Sequence, residues 1–276
     1  MLEKLIRFQQ PERSLGYARA LSDETLAGLF NTDSETYREA IAQLDAQRAE
    51  TVRRLASRAE LRAVLQHSPF EPGQTIVATG ESTTADRSSW FELIAALFAA
   101  ERPDLELTFE NLAVAGSTTT QALASVPSLR RASGDWVFCM LGGNDSQRFG
   151  GADGTRLVST AETVRNLRAL RDLVQAEGAN WVWLTPTPVD EVLIAQFRFF
   201  RFAGITWTNA DARGIAAELP KLGGPIIDTF AAEPVAEPFL DDGLHPSLSA
   251  QEALAAQVLT SLSSISGLRR ITTSRQ

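Results

Sequence analysis

The chain has 276 residues, of which 44% are hydrophobic and 22% charged, and it carries a formal net charge of -8 at pH 7. This length fits one large α/β domain, with or without an extension, and the balance of residue types is typical of a folded globule. The acidic charge and the lack of a basic stripe with interleaved aromatic residues argue against a nucleic-acid partner, and a single cysteine excludes an intrachain disulfide and a multi-cysteine metal site.

The N-terminal stretch, Met1 to Arg7, mixes charged and apolar residues and never forms the apolar core of a signal peptide. The apolar run from Leu93 to Ala100 is far too short to span a membrane. We therefore expect a cytoplasmic protein without a membrane span.

Residues 1–70 have the pattern of an N-terminal helical extension. Thr32-Asp33-Ser34-Glu35 has the form of a capping box, in which the Thr32 hydroxyl serves a backbone donor. An apolar stripe with helical spacing comprises Ile41, Leu44, Val52, Leu55 and Ala59. The stripe needs burial, either against the chain's own α/β domain or, since Arg48 interrupts it, against a second copy in a homodimer.

Residues 71–276 alternate short apolar segments with helical ones, after a break near Pro69 to Gly73. The predicted strands lie at 74–79, 105–112, 135–141, 180–185 and 225–229. The predicted helices lie at 89–100, 118–131, 159–176, 209–219 and 249–265. This alternation predicts a five-stranded parallel sheet with helices on both faces, which is the flavodoxin-like three-layer α/β/α arrangement.

Polar residues follow four of the five predicted strands, at the sheet edge where such folds bind ligands. These segments are Gly80 to Thr83, Asn111 to Ser117, Gly142 to Asp145 and Asp242 to His245. They would bring a hydroxyl, backbone amides, a carboxamide and an Asp/His pair to one rim. Those are the groups that acyl transfer requires.

Only two histidines exist in the chain. His245 lies three positions after Asp242, so one loop can supply both an imidazole base and the carboxylate that orients it. His67 ends a helical pattern, and we interpret it as a favourable charge at a helix C-terminus.

The ordered set of segments resembles the SGNH hydrolase superfamily, also called GDSL lipases or esterases, over roughly residues 74 to 265. Gly80-Glu81-Ser82 resembles the family's Gly-Asp-Ser block, with glutamate in place of the usual aspartate. Gly116 matches the glycine of the second block, Gly142 to Asp145 the third, and Asp242 to Pro246 the Asp-x-x-His-Pro block.

The resemblance implies a serine esterase that cleaves carboxylic esters, most readily small acyl or acetyl esters, without a cofactor or a metal. Ser82 would be the nucleophile, His245 its base and Asp242 the orienting carboxylate. The oxyanion hole would comprise the backbone N–H groups of Ser82 and Gly116 and the side-chain amide of Asn144. The partner implied is a small-molecule ester, and hydrolysis and acyl transfer both stay open.

Two other functions are consistent with parts of this pattern. Ala78 to Thr83 also resembles the phosphate-binding loop of flavodoxins, which would make the chain an FMN-binding protein. An SGNH-like scaffold could also serve as a non-catalytic binding module. Taken singly, Ser82 can be a helix cap, Gly116 a tight turn and Asn144 a turn former.

The segment from Asp190 to Trp207 leaves the same rim of the predicted sheet and is rich in aromatic residues. They are Phe197, Phe199, Phe200, Phe202 and Trp207. They can form a wall of the substrate pocket or be core residues of a helix. Arg198 and Arg201 lie among them and can meet an anionic group of the substrate.

Overall fold

The computed structural model describes residues 2–14, 20–175 and 178–273. Its main sheet contains the five predicted parallel strands in the spatial order β2-β1-β3-β6-β8. Those strands are β1 (Thr75–Gly80), β2 (Thr108–Asn111), β3 (Trp136–Met140), β6 (Asn180–Leu184) and β8 (Ile226–Ile227). The predicted three-layer α/β/α fold is confirmed.

Three short strands form a separate antiparallel sheet in the order β5-β4-β7, which the sequence did not predict. They are β4 (Arg148–Phe149), β5 (Thr155–Arg156) and β7 (Ile205–Thr206). With two residues each, they are too short to show an apolar alternation.

Helices lie on both faces of the main sheet and before it. The N-terminal helices are α1 (Leu2–Phe8), α2 (Pro11–Ser14), α3 (Asp23–Leu29), α4 (Ser34–Ser57) and α5 (Ala59–Gln66). The helices that follow are α6 (Ser82–Ala85), α7 (Trp90–Glu101), α8 (Thr119–Ala122), α9 (Val126–Ala132), α10 (Thr160–Val174), α11 (Glu191–Gln196), α12 (Arg198–Ala203), α13 (Asn209–Ala216) and α14 (Leu248–Thr273). Among the helices of the described residues, none has both the length and the apolar character to cross a bilayer.

The two sides of the sheet bury alternate residues of the same strands, as the two-residue period of a strand requires. Phe138 of β3 packs in the core that contains α7 and α14. Its neighbours Val137 and Cys139 pack in the opposite core, with α9 and α10. The central strands β1, β3 and β6 are therefore mostly apolar and buried on both faces, and the candidate site lies beyond their carboxyl ends.

Two predicted elements differ from the structure. The strand expected from residue 105 begins only at Thr108, because a 3₁₀ turn at Pro103–Leu105 ends with Glu106 at φ 47°. The helix expected at 118–131 is divided into α8, a 3₁₀ turn and α9. Pro127, which has no amide hydrogen, lies in the first turn of α9, where its effect is least harmful.

The start of α4 also corrects the predicted capping box. Asp33, not Thr32, is the N-cap, and its carboxylate accepts a hydrogen bond from the Thr36 amide at 2.8 Å. An aspartate is as good an N-cap as a hydroxyl residue, and here its position fits the helix. At the other end of this region, His67 caps α5, and its ring Nδ1 lies 2.9 Å from the Ala63 carbonyl oxygen.

Most of the apolar stripe of the N-terminal region is buried within the chain itself. Leu44 packs with Ile6 of α1 in a small separate core, whereas Val52 and Leu55 join the main core. Ala59, by contrast, is exposed at the start of α5. Burial on the chain's own core accounts for the stripe without a partner. A homodimer through the N-terminal helices stays a prediction for measurements of mass in solution.

Candidate active site

Ser82 lies at the sharp turn between the first strand and the helix that follows it. β1 ends at Gly80, and Ser82 is the first residue of α6. The turn is so tight that a Cβ at Gly80 would lie 2.7 Å from the Thr84 hydroxyl and 2.9 Å from the Met140 carbonyl oxygen. Only glycine fits at this position, and the close approach places Ser82 at the carboxyl end of the sheet.

The unusual Glu81 connects this turn to the loop after β3. Its carboxyl accepts hydrogen bonds from the backbone amides of Gly143 at 2.9 Å and Asn144 at 2.7 Å. Burial raises the pKa of the Glu81 carboxyl to about 8, and the nearby Asp145 charge adds to the rise, although both amide hydrogen bonds oppose it. The longer side chain therefore supports the loop that carries the candidate oxyanion donor.

Asp145 holds the same loop from its other side. It is fully buried and accepts hydrogen bonds from the Thr119 amide at 2.8 Å and the Thr163 hydroxyl at 2.9 Å. These contacts tie the loop to the N-terminus of α8 and the first turn of α10. Burial raises the pKa of Asp145 despite these hydrogen bonds.

Asp242 and His245 form the predicted pair within one loop. His245 Nδ1 lies 2.7 Å from Asp242 Oδ2, and Asp242 Oδ1 accepts the amides of Leu244 at 2.8 Å and His245 at 2.9 Å. Burial raises the pKa of the Asp242 carboxyl. The hydrogen bonds and charge of His245, together with a hydrogen bond from Lys4, outweigh burial and hold that pKa well below its usual range. An ionised Asp242 fixes Nδ1 as the protonated nitrogen, which leaves Nε2 as the basic one.

The candidate oxyanion donors lie on two further strand-end loops. Asn144 Nδ2 donates to the Ser117 carbonyl oxygen at 3.1 Å, which orients the amide and leaves its second hydrogen for a ligand. Gly116 has φ +81°, a conformation that favours glycine. The structure thus fixes the direction of the Asn144 side chain through the backbone of the Gly116 loop.

One open cleft of about 1050 Å³ contains the three candidate catalytic residues and two candidate oxyanion residues on its walls: Ser82, Gly116, Asn144, Asp242 and His245. A smaller hollow of about 30 Å³ also reaches Ser82 and Asn144. Its lining also includes Val189, Trp207 and several small polar residues. The sequence therefore predicted a set of residues that the fold does bring to one place.

Most of the predicted aromatic wall lines the cleft as well. Phe197, Phe199, Phe200 and Trp207 do so, with ring centroids 4.9 Å apart for Phe197 and Phe200 and 5.0 Å for Phe200 and Trp207. Phe202 does not: it is 95% exposed and lies outside the cleft. Two residues along α12 turn a side chain by about 200°, so Phe202 faces away from Phe200.

Arg198 also lies on the cleft, with its guanidinium 4.6 Å from the centre of the Phe199 ring. Arg201 is not among the cleft residues. Of the two arginines that the sequence singled out for an anionic substrate group, the structure therefore brings one to the site.

Helix α1 also contributes to the cleft, although no pattern in the sequence indicates it. Lys4, Arg7 and Phe8 all line the cleft. Lys4 forms an ion pair with Asp242, and the Phe8 ring packs on the His245 ring with centroids 4.5 Å apart. These contacts join residues more than two hundred positions apart, and no local pattern encodes them.

A buried ion pair fixes α1 to the rest of the site. The Arg7 guanidinium donates to both carboxylate oxygens of Asp86, at 2.8 Å from Nε to Oδ1 and 2.6 Å from Nη2 to Oδ2. Gln251 of α14 also donates to Asp86, at 3.2 Å. Because Asp86 ends the short helix that begins at Ser82, the pair joins α1 directly to the turn that carries Ser82.

Across the described ranges, no group of three or more His, Cys, Asp or Glu side chains has the arrangement of a metal site. In the cleft, Asp242 pairs with His245 and Lys4, and Arg7 pairs with the buried Asp86. The site is organised around hydrogen bonds and ion pairs of the chain's own residues.

Comparison with known proteins identifies one family and a set of similar folds. The GDSL-like Lipase/Acylhydrolase family matches residues 73–253. No curated protein sequence matches the chain significantly.

Among solved structures, LAE5, an alpha/beta hydrolase enzyme from the metagenome of Lake Arreo, Spain, is 18% identical with a TM-score of 0.53, over 70% of this chain and 96% of that one. TesA is 22% identical with a TM-score of 0.51, over 68% and 98%. Axe2, an acetylxylan esterase from Geobacillus stearothermophilus, is 19% identical with a TM-score of 0.51, over 70% and 95%. At these identities the likeness establishes the fold.

Proposed function

Since the chain belongs to the GDSL-like lipase/acylhydrolase family, we propose that it hydrolyses esters of short carboxylic acids through an acyl-enzyme intermediate on Ser82. Family membership makes it an SGNH-type carboxylic ester hydrolase. Beyond family membership, we propose the identity of the nucleophile, the acyl-enzyme intermediate and the size of the acyl group. The observation that carries it is the single cleft shared by Ser82, the Asp242–His245 pair and Asn144.

In the proposed first step, His245 Nε2 accepts the proton of the Ser82 hydroxyl while the Ser82 oxygen attacks the ester carbonyl carbon. The carbonyl oxygen becomes an oxyanion, which accepts hydrogen bonds from the Asn144 amide and the backbone N–H groups of Ser82 and Gly116. Asp242 stabilises the imidazolium through its hydrogen bond to Nδ1. The intermediate then releases the alcohol, which takes its proton from Nε2.

In the second step, water donates its proton to His245 Nε2 and attacks the acyl carbon of the acyl-serine. The same donors stabilise the second oxyanion. Collapse of that intermediate breaks the bond to the Ser82 oxygen, which recovers its proton from Nε2, and the carboxylic acid leaves. Each step returns the groups of the site to their initial protonation states.

The size of the hollow beside Ser82 supports a short acyl group. A cavity needs about 10–15 Å³ to hold one water molecule, so the 30 Å³ hollow has room for a group of about acetyl size. The wider cleft, lined by aromatic rings, would hold the alcohol part of the ester. The flavin alternative has less support, because the buried Glu81 carboxyl occupies the loop where a flavodoxin binds a phosphate.

A panel of nitrophenyl esters, from acetyl to longer acyl chains, tests the proposal. We expect kcat/KM to be highest for acetyl and to fall with chain length. Ser82→Ala and His245→Ala should each remove nearly all activity, and Asn144→Ala should lower kcat by about 10²–10³. Ser57→Ala, an exposed serine on α4, is the matched control and should behave as the parent.

A folded Ser82→Ala protein that cleaves nitrophenyl acetate as fast as the parent would contradict the mechanism. A preference for long acyl chains would contradict the assignment of the hollow while leaving the mechanism intact. Far-ultraviolet circular dichroism and a thermal melt establish that each variant is folded.

A further inference from the structure

We propose that Lys4 is a positioning residue of the active site, which holds the Asp242 carboxylate and extends the pH range over which His245 can act as a base. The residue lies on helix α1, outside the region that matches the family. The inference rests on the proposed function, because it assigns His245 the role of base.

Lys4 contacts the same Asp242 carboxylate oxygen that orients the histidine. Its Nζ forms an ion pair with Asp242 Oδ2, and that oxygen also lies 2.7 Å from His245 Nδ1. A second contact, at 2.9 Å, joins Nζ to Asp241 Oδ1. The Asp242 side chain is only 1% exposed and that of Lys4 is 28% exposed, so water screens the pair only in part.

Two features hold the ammonium group in place. The Nζ atom lies 4.9 Å from the centre of the Phe197 ring, a cation–π contact that limits its alternative positions. One turn further along α1, Arg7 makes its buried ion pair with Asp86, and its carbonyl accepts the Arg87 amide at 3.1 Å. These contacts fix the helix backbone from which the Lys4 side chain extends toward Asp242.

Phe8 completes the arrangement on the histidine itself. Its ring packs on the His245 ring at a centroid distance of 4.5 Å and is only 5% exposed. The contact covers part of the imidazole from water and restricts its rotation. α1 thus acts on both members of the pair, with Lys4 on the carboxylate and Phe8 on the ring.

The charged groups around the imidazole determine whether protonation of His245 is favoured or opposed. On its own loop and across the cleft they are Asp242, Asp241, Lys4, Arg7, Glu3, Glu81 and Arg198. Asp242 favours the protonated imidazole, Arg7 is neutralised by Asp86, and Glu81 is neutral below a pH of about 8. Lys4 is the cation in direct contact with the pair, so it opposes protonation of His245 and keeps the base free to lower pH.

The first test compares the pH dependence of kcat/KM for the parent, Lys4→Met and Lys4→Arg. In Lys4→Met we expect the acidic limb to move to higher pH by about one unit, which is the lower end of the effect of one neighbouring charge. On the acidic side this corresponds to a rate loss of up to about tenfold. Lys4→Arg should keep the parent profile, because it restores the charge.

The matched control is Lys221→Met, which removes an exposed lysine that forms an ion pair with Glu218 on the surface. Its pH profile should coincide with that of the parent. Lys4→Gln is a second variant with a polar, neutral side chain, and it should reproduce the shift if Lys4→Met folds poorly. Coincident acidic limbs for the parent, Lys4→Met and Lys4→Gln would overturn the inference.

A measurement that needs no substrate separates this inference from the proposed function. The substitution His67→Gln leaves His245 as the one histidine of the sequence. Its ring resonances are then the histidine signals, and NMR can follow their titration. We expect the midpoint to lie about one pH unit higher in Lys4→Met than in the parent. If the parent hydrolyses no ester, the proposed function fails, yet the midpoints still decide whether Lys4 acts on His245. Equal midpoints would overturn the role of Lys4.

Discussion

Replacement of Glu81 by glutamine should change how the stability of the protein depends on pH. The pKa of this buried carboxyl is raised from its usual value of 4.5 to about 8. A raised pKa means that the folded protein binds the proton more tightly than the unfolded chain. The stabilising contribution is therefore complete below about pH 4.5 and is lost as the pH rises to about 8.

The magnitude follows from the size of that interval. Each pH unit between the two pKa values lowers the free energy of unfolding by about 1.4 kcal/mol. The slope is smaller near each pKa, so from pH 5 to pH 8 the parent should lose about 3–4 kcal/mol through Glu81 alone. Glutamine cannot ionise, so Glu81→Gln should show no such loss. At pH 5 it should be less stable by about 1 kcal/mol, because its NH₂ group cannot accept one of the two backbone amides.

Denaturant unfolding at pH 5, 6, 7 and 8, followed by tryptophan fluorescence, measures both quantities. The control is Glu101→Gln, an exposed glutamate at the end of α7. The control should follow the pH dependence of the parent. If Glu81→Gln loses as much stability between pH 5 and pH 8 as the parent does, the account of this buried carboxyl is refuted.

Three further substitutions test the supports of the site. Gly143→Ala would place a Cβ against the Glu81 carboxyl, so kcat should fall by about tenfold to a hundredfold with the fold retained. The control Gly214→Ala, whose new Cβ meets nothing within 4 Å, should keep full activity. Arg7→Met should lower the free energy of unfolding by about 3–5 kcal/mol in denaturant titrations, because it leaves a buried carboxylate without its cation; a loss below about 1 kcal/mol would contradict that. Phe200→Ala should change the order of preference among acetyl esters of different alcohols, whereas Phe202→Ala, at a side chain that is 95% exposed, should leave it unaltered. An unaltered order in both variants would show that the aromatic segment does not select substrates.

The part of the site that could be predicted from the sequence is the part encoded locally. Ser82, Gly116 and Asn144 each follow a strand closely, and His245 lies on a longer segment after the last strand, β8. Parallel strands bring their carboxyl ends to one edge, so this order already implied a common rim. The central strands were recognisable because both of their faces are buried and mostly apolar.

The contributions of α1 and of Glu81 could not be predicted in the same way. Lys4 and Asp241 are separated by 237 positions, and nothing in the charged, apolar pattern of α1 specifies the loop that it meets. Glu81 was recognisable as a departure from the family. The role of its longer side chain is seen only in the structure, where the carboxyl accepts the backbone amides of Gly143 and Asn144. Contacts between distant segments depend on packing, which a local pattern does not record.

The most direct test of the central claim is capture of the acyl-enzyme. The protein is mixed with nitrophenyl acetate, quenched in acid within the first turnovers, digested and analysed by tandem mass spectrometry. We predict one acetyl group on the Ser82 hydroxyl, formed together with a burst of nitrophenol, and no acetylated peptide in His245→Ala under the same conditions. Steady hydrolysis by the parent with Ser82 unmodified, or with the acetyl group on another side chain, would contradict the account.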